Sequence, residues 1–244
     1  MNDNTVTKTL YCIRHGESTY NEWRTKSLLN FSWMWIRDPM IVDAPLSVKG
    51  KKQVEQFFVL MLTATQLHEF IKSRQLDEKI QVIITSPLTR AIETTIGAFP
   101  DTTIPILVEP LCREMLDTAC DIGQGPTDLA QQFFSEDHID FSFLDPFWWL
   151  EAEKFPRTGP DNALPINIVA PKTADEVLVL RESKEELDAR IREFVAKLAE
   201  RPEQHIAVVG HSSFFKRMLG MNHKLNNCEL HETSLDDIWI RYGQ

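Results

Sequence analysis

Cysteine is scarce and scattered in this chain: four in 244 residues, at Cys12, Cys112, Cys120 and Cys228, with no C-x-x-C pair. That spacing does not make a zinc site, and a chain of this length does not call for a disulfide framework. Long apolar runs are also missing; the longest, Phe57 to Leu62, is far too short to span a bilayer. The first residues, Met-Asn-Asp-Asn-Thr, contain no basic stretch followed by an apolar one, which argues against a secretory signal. Positive charge is in deficit, with 26 Lys and Arg against 36 Asp and Glu and a formal net charge of −10. Non-specific attraction to nucleic acid or to an anionic membrane is therefore not expected. Internal repeats and low-complexity stretches are absent as well. Together these absences predict a reducing, cytoplasmic setting and neither nucleic acid nor membrane as partner. A homodimer is compatible with the sequence and is not specified by it. An anionic substrate would need arginines gathered at its own site, because local charge and net charge are separate quantities.

What is present suits a single α/β domain over residues 1–244. Thr9 to Ile13 reads as a buried strand that ends at Arg14-His15-Gly16. A helix is predicted from Ser47 as N-cap through Val54, Phe57, Phe58, Met61 and Leu62. Ile80 to Ile84 is a continuous β-branched run, as expected of a parallel strand covered on both faces. Thr85-Ser86-Pro87 then suits a helix start with proline in the first turn. Ile104 to Val108 is a third strand, and Glu182 to Glu200 an amphipathic helix capped by Ser183, with Leu187, Ile191, Phe194, Val195 and Leu198 on one face. His205 to Val209 is a fourth strand, Ser212 to Leu219 a helix, and Asp237 to Tyr242 a closing edge strand. Alternating strands and helices predict a three-layer sandwich with a mostly parallel central sheet flanked by helices. The aromatic and proline-rich region from Cys120 to Val179, at about 120–180, reads as an insertion, either a lid over the site or core packing around Phe147-Trp148-Trp149, with equal weight on the two.

Ligands of such sheets bind beyond the carboxyl ends of the strands. Arg14 and His15 follow the first strand, Arg90 lies in the first turns of the helix after the second, and His211 follows the fourth. Phosphoryl transfer needs charge stabilisation more than covalent machinery. Two guanidiniums provide planar, permanently charged donors. A neutral imidazole can attack phosphorus and hold it covalently, a second can donate to the same oxygens, and a carboxylic acid must protonate the leaving oxygen. Taken singly, each residue has an ordinary explanation: a satisfied strand-end histidine, a surface arginine, a loop carboxylate. Jointly, at strand ends and in this order, they do not.

The segments Arg14-His15-Gly16-Glu17-Ser18 with Asn21, Ser86-Pro87-Leu88-Thr89-Arg90-Ala91-Ile92-Glu93-Thr94 and Val209-Gly210-His211-Ser212 resemble the histidine phosphatase superfamily, the clan of cofactor-dependent phosphoglycerate mutases, fructose-2,6-bisphosphatases and many phosphatases. Asp43-Ala44-Pro45-Leu46-Ser47, Leu111-Cys112-Arg113-Glu114 and Asn227-Cys228-Glu229 are similar to members of the clan too. The resemblance implies a phosphoglycerate mutase-like fold with His15 as nucleophile. It further implies Arg14 and Arg90 as a phosphate clamp with His211 beside them, Asn21 as a further contact, and Glu114 as acid and base. Glu17 and Glu109 are neighbouring carboxylates that compete for that last role, and Glu93 is expected to brace a helix. The helix beginning at Ser212 is expected to turn its positive N-terminus toward the pocket.

The mutases carry a Phe-Thr-Gly-Trp type segment and an Asn-Glu-Arg-x-Tyr-Gly segment, where this chain has Asn30-Phe31-Ser32-Trp33-Met34-Trp35 and Arg113-Glu114-Met115-Leu116. The expected reaction is therefore hydrolysis of a small phosphorylated substrate, with no metal and no cofactor. Mutase-type transfer, a protein phosphatase and a catalytically silent binding module of the same fold are the alternatives.

Overall fold

The β-branched runs of the sequence form the centre of the molecule. A computed structural model describes residues 8–54, 67–136, 138–142, 144–150 and 171–243. Its strands are β1 (Thr9–Arg14), β2 (Val82–Thr85), β3 (Ile106–Val108), β4 (Ile139–Asp140), β5 (His205–Gly210) and β6 (Leu230–Ser234). Its helices are α1 (Thr19–Asn30), α2 (Val48–Val54), α3 (Leu67–Ser73), α4 (Leu76–Lys79), α5 (Thr89–Ala98), α6 (Pro126–Gln132), α7 (Ala174–Leu180), α8 (Lys184–Glu200), α9 (Ser212–Met218) and α10 (Leu235–Tyr242). The strands form one sheet in the order β4-β3-β2-β5-β1-β6. Only β6 runs antiparallel to its neighbour.

Side chains alternate across this sheet because successive residues of a strand face opposite sides. Leu10, Cys12, Val82, Ile84, Ile206 and Val208 join a core with Leu187, Ile191 and Phe194 of α8, Phe214 and Phe215 of α9, and Ile238 of α10. Tyr11, Ile13, Ile83 and Val209 face the other way, onto Ile71 of α3 and Ile92 of α5. The result is the expected three layers, helix on sheet on helix. Trp148 and Trp149 are buried in the second core, edge to face with each other at 5.5 Å, and Phe147 packs against it. Phe147, Trp148 and Trp149 thus act as core, Phe134 is exposed, and residues 151–170 lie outside the described residues.

Register is what positions the site. Arg14 of β1 pairs with Gly210 of β5, and Val209 of β5 with Thr85 of β2, so the carboxyl ends of three parallel strands are level. The ladder continues one step further through His15 N donating to Gly210 O (3.0 Å) and Ser86 N to Val209 O (3.0 Å). A Cβ at Gly50 would overlap the Glu17 carbonyl, so glycine there lets α2 lie directly against the loop that follows His15.

Several expectations need correction. Asp237 to Tyr242 is not an edge strand but lies within α10, and the edge strand is β6 just before it. The Ser234 hydroxyl caps that helix by accepting from Asp236 N, Asp236 and Asp237 occupy its positive first turn, and Leu235 and Ile238 bury one face at helical spacing. Pro87 precedes α5 rather than lying in its first turn; Leu88 is the N-cap, and its side chain cannot accept. Asp43 does so instead, from φ 42°, accepting from Thr89 N (2.9 Å) and Thr89 Oγ1 (2.6 Å). The helix expected with Ser47 as N-cap is present: it begins at Val48 and Ser47 Oγ accepts from Gly50 N (3.0 Å), while its expected continuation from residue 55 through Leu62 lies outside the described residues. Among the described residues no helix is long and apolar enough to cross a membrane.

Phe194 is buried against Phe214 with ring centroids 5.7 Å apart. Phe194→Ala should cost about 3–5 kcal/mol of stability by urea unfolding. Trp35→Ala, at a residue 84% exposed, should stay within about 0.5 kcal/mol.

Candidate active site

His15 follows β1 and His211 follows β5, so the paired register sets the two imidazoles side by side, with ring centroids 5.1 Å apart. His15 is held from several sides. Its carbonyl accepts from Asn227 Nδ2 (2.9 Å), and the Gly16 amide behind it donates to Thr94 Oγ1 (3.0 Å). Its Nδ1 lies 2.6 Å from the Gly16 carbonyl oxygen. A carbonyl only accepts, so Nδ1 carries the hydrogen and Nε2 keeps its lone pair. His211 is fully buried, with Nε2 at 2.7 Å from Ser86 Oγ and with Nδ1 lacking a partner among the described residues.

In front of His15 lies a cavity of about 150 Å³ lined by Arg14, His15, Asn21, Arg90, Glu114 and Ser212, and also by Arg24, Asp121 and Lys224. Of the residues expected at the site, His211 alone is not among the lining residues; its ring lies beside that of His15. Arg90 is 3% exposed and locked in place, its Nη1 donating to Cys120 O (2.6 Å) and its Nη2 to Asp121 (2.9 Å). Five guanidinium N–H groups less those two leave three for a ligand. Arg14 donates Nη1 to Leu225 O (2.6 Å), while its buried Nε has no partner among the described residues. An unsatisfied buried N–H beside a cavity is a natural donor to an incoming oxyanion. Asn21 accepts from Ser18 N (3.3 Å) in the capping box of α1, which leaves its Nδ2 hydrogens for the pocket.

Glu114 occupies the start of α9. Its carboxylate accepts from Ser213 N (3.1 Å), Phe214 N (3.0 Å), Met115 N (3.0 Å) and Ser212 Oγ (3.4 Å). The amides expected to be offered to a phosphate are thus turned to a side chain, since a carboxylate is the anion nearest to that helix end. The loop that carries Glu114 is fixed from α8: Arg190 donates to Leu111 O (2.7 Å) and Arg113 O (3.0 Å) and forms two 2.7 Å bonds to the buried Glu182 carboxylate. The competing carboxylates are employed elsewhere. Glu17 accepts from Ser47 Oγ (3.0 Å) and Lys49 Nζ (2.8 Å), and Glu109 from Leu111 N (3.0 Å) and Lys197 Nζ (3.3 Å). Neither lines the cavity. Glu93 accepts from Leu46 N (2.6 Å), bracing the loop before α2.

With this geometry in view, the comparisons with known proteins are informative. The chain is 26% identical over 276 aligned residues to a phosphoglycerate mutase-like protein of Arabidopsis thaliana, covering 94% of this chain and 85% of that protein. It is 29% identical to a probable phosphatase of Schizosaccharomyces pombe, over 54% of this chain and 53% of that protein. The solved α-ribazole phosphatase of Shigella flexneri has the same fold, with a TM-score of 0.51, 18% identity, and 92% of this chain and 89% of that one covered. No protein-family model matches the chain. The fold is the one that α-ribazole phosphatase has.

The residues at the site that sequence reasoning missed are Ser86, Asp121, Arg24 and Lys224. Ser86 stood within a quoted motif, and its place after β2, level with Gly210, was the signal available. Asp121 had none, because its value lies in meeting Arg90 from 31 residues away.

Burial, then the charges of Arg90 and Arg14, hold the His15 imidazole well below the usual histidine range. Burial, Arg90, His15 and Arg14 do the same to His211. Unfolded histidines take up protons near pH 6.5, folded ones with lowered pKa only further down, so these two groups cost stability as pH falls below about 6.5 and have no effect above it. Unfolding free energy should drop between pH of about 7 and 5.5, each histidine approaching about 1.4 kcal/mol per pH unit. The His15→Asn/His211→Asn double variant should show a flatter slope. Ring nitrogen chemical shifts should report both imidazoles neutral at a pH of about 6, and half-protonation of either near 6.5 would contradict this account.

Proposed function

We propose that the chain is a phosphatase that hydrolyses a small phosphomonoester through a phosphohistidine on His15. The observation that carries the reading is the His15 tautomer, with Nδ1 tied to Gly16 and the Nε2 lone pair kept for attack, in a cavity lined by Arg14, Arg90 and Glu114. The relative named as a phosphatase and the fold shared with α-ribazole phosphatase support a phosphoric monoester hydrolase of the histidine phosphatase type. A cavity of about 150 Å³ suits a phosphoryl group and a few further atoms. The four cysteines are free, which agrees with a reducing, cytoplasmic setting.

Two displacements make up the reaction. His15 Nε2 attacks phosphorus as the ester P–O bond breaks, and Glu114, protonated for this step, gives its proton to the departing oxygen. Arg14 and Arg90 neutralise the equatorial oxygens. Water then attacks the phosphohistidine and gives its proton to Glu114, while the P–N bond returns its electron pair to Nε2 and phosphate leaves. The amides of Met115, Ser213 and Phe214 hold the Glu114 carboxylate in place for both steps. Ser86, bound to His211 Nε2, leaves Nδ1 of that ring as the donor to the same phosphoryl group.

Rapid-quench trapping with labelled substrate tests the roles. His15→Ala should abolish both turnover and the acid-labile phosphoenzyme while the fold survives. Glu114→Gln should slow esters of poor leaving groups by about 10²–10⁴-fold, slow aryl phosphates less in the first step, and accumulate phosphoenzyme. Equal losses on both substrate types, with no accumulation, would move the role from Glu114 to Asp121, the other carboxylate close to Arg90 in the cavity.

A further inference from the structure

A second, larger cavity of about 570 Å³ opens between the start of α8, the outer side of α9 and the end of α10. It shares Met115, Ser213 and Lys224 with the cavity in front of His15, so the two adjoin. Its charged lining is entirely cationic: Lys184, Lys216, Arg217, Lys224 and Arg241, with no carboxylate among its lining residues. In a chain of net charge −10, chance placement does not favour such a cluster. Arg217 is paired with Asp188, and Lys224 Nζ donates to Ser213 Oγ (3.1 Å) at the shared wall. Lys184, Lys216 and Arg241 have no ion-pair partner among the described residues. The Arg241 guanidinium lies over Gly220, whose φ of 63° and missing Cβ make room for it. Asp188 offsets only Arg217; the remaining like charges repel one another, and an anionic ligand relieves that repulsion.

We infer that this cavity is a second anion subsite, which holds a carboxylate or phosphate at the far end of an elongated phosphoester whose reacting phosphoryl group occupies the first cavity. The inference rests on the phosphatase reading for the occupant of the first cavity. A compact substrate would keep both of its charges in the smaller cavity; only a longer one reaches past Lys224 to Lys216 and Arg241. Lys224, lining both cavities, belongs to the path between them.

Three alkyl phosphates of equal chain length provide the test: one with a neutral tail, one ending in a carboxylate, one ending in a second phosphate. Wild-type protein should show kcat/KM roughly tenfold or more higher for a charged tail than for the neutral one. That ratio should shrink with added salt. In Lys216→Ala/Arg241→Ala it should fall below about twofold. If that variant does not fold, Lys184→Glu on the exposed start of α8 takes its place and should lower the ratio in the same direction. Preference for only one of the two charged tails identifies the group and still supports the subsite. Equal kcat/KM for the three esters in the wild-type protein overturns the subsite and leaves the phosphatase reading standing. If none is turned over, that reading fails instead, and calorimetric Kd values for the same three compounds decide the subsite, equal affinities overturning it.

Discussion

The register of β1 against β5, and of β5 against β2, is the constraint on which the rest of the site depends. Because Arg14 is level with Gly210 and Thr85 with Val209, the next residues of the three strands are neighbours across the sheet. The 5.1 Å between the His15 and His211 rings is close to the spacing of adjacent strands, about 4.8 Å. A slip of one residue in either pairing would turn one imidazole to the opposite face. His15 is thus placed by backbone hydrogen bonds that continue the central sheet. Ser86 reaches His211 for the same reason.

That placement has an electrostatic cost. Two buried imidazoles are gathered with the buried Arg90 and the half-buried Arg14, and the chain only partly offsets these charges with Asp121 on Arg90 and Glu114 on the start of α9. Buried charge without full compensation destabilises the fold. Burial and the nearby arginines hold both histidines well below their usual range, and Arg14 Nε and His211 Nδ1 have no partners among the described residues. On the proposed reading, a phosphoryl group would supply the missing acceptors and the missing negative charge. Neutral imidazole is also the form with a lone pair to give, so one arrangement explains both the strain and the chemistry it permits.

The surrounding supports are long-range and mostly buried. Asp43 caps α5 from a left-handed turn and thereby sets the angle at which Arg90 leaves that helix. The Arg190–Glu182 pair of α8 grips the backbone that carries Glu114. Arg190 also lies over the Phe214 ring at 5.4 Å, beside the amide that Glu114 accepts from, so helix, loop and carboxylate move as one unit. Removing either partner of such a buried pair leaves an unsatisfied charge, and the effect would reach Glu114 although neither side chain lines the cavity.

Much of this was legible in the residues themselves. Short apolar runs marked β1, β2 and β5, the spacing of Leu187, Ile191 and Phe194 marked α8, and Arg14, His15 and His211 stood at strand ends, with Arg90 in the helix after one, where ligands bind. Those signals are local, carried by a few adjacent residues and by periodicity. The choice of Glu114 over Glu17 and Glu109 was not legible, nor the His15 tautomer, the pairing of Arg90 with Asp121, or the replacement of an edge strand at Asp237–Tyr242 by α10. Glu114 meets the Phe214 amide from 100 residues away, and His211 meets Ser86 from 125. Side-chain type and neighbouring residues say nothing about contacts of that range. Only the closing of the sheet in its register decides which polar groups must satisfy one another out of reach of water.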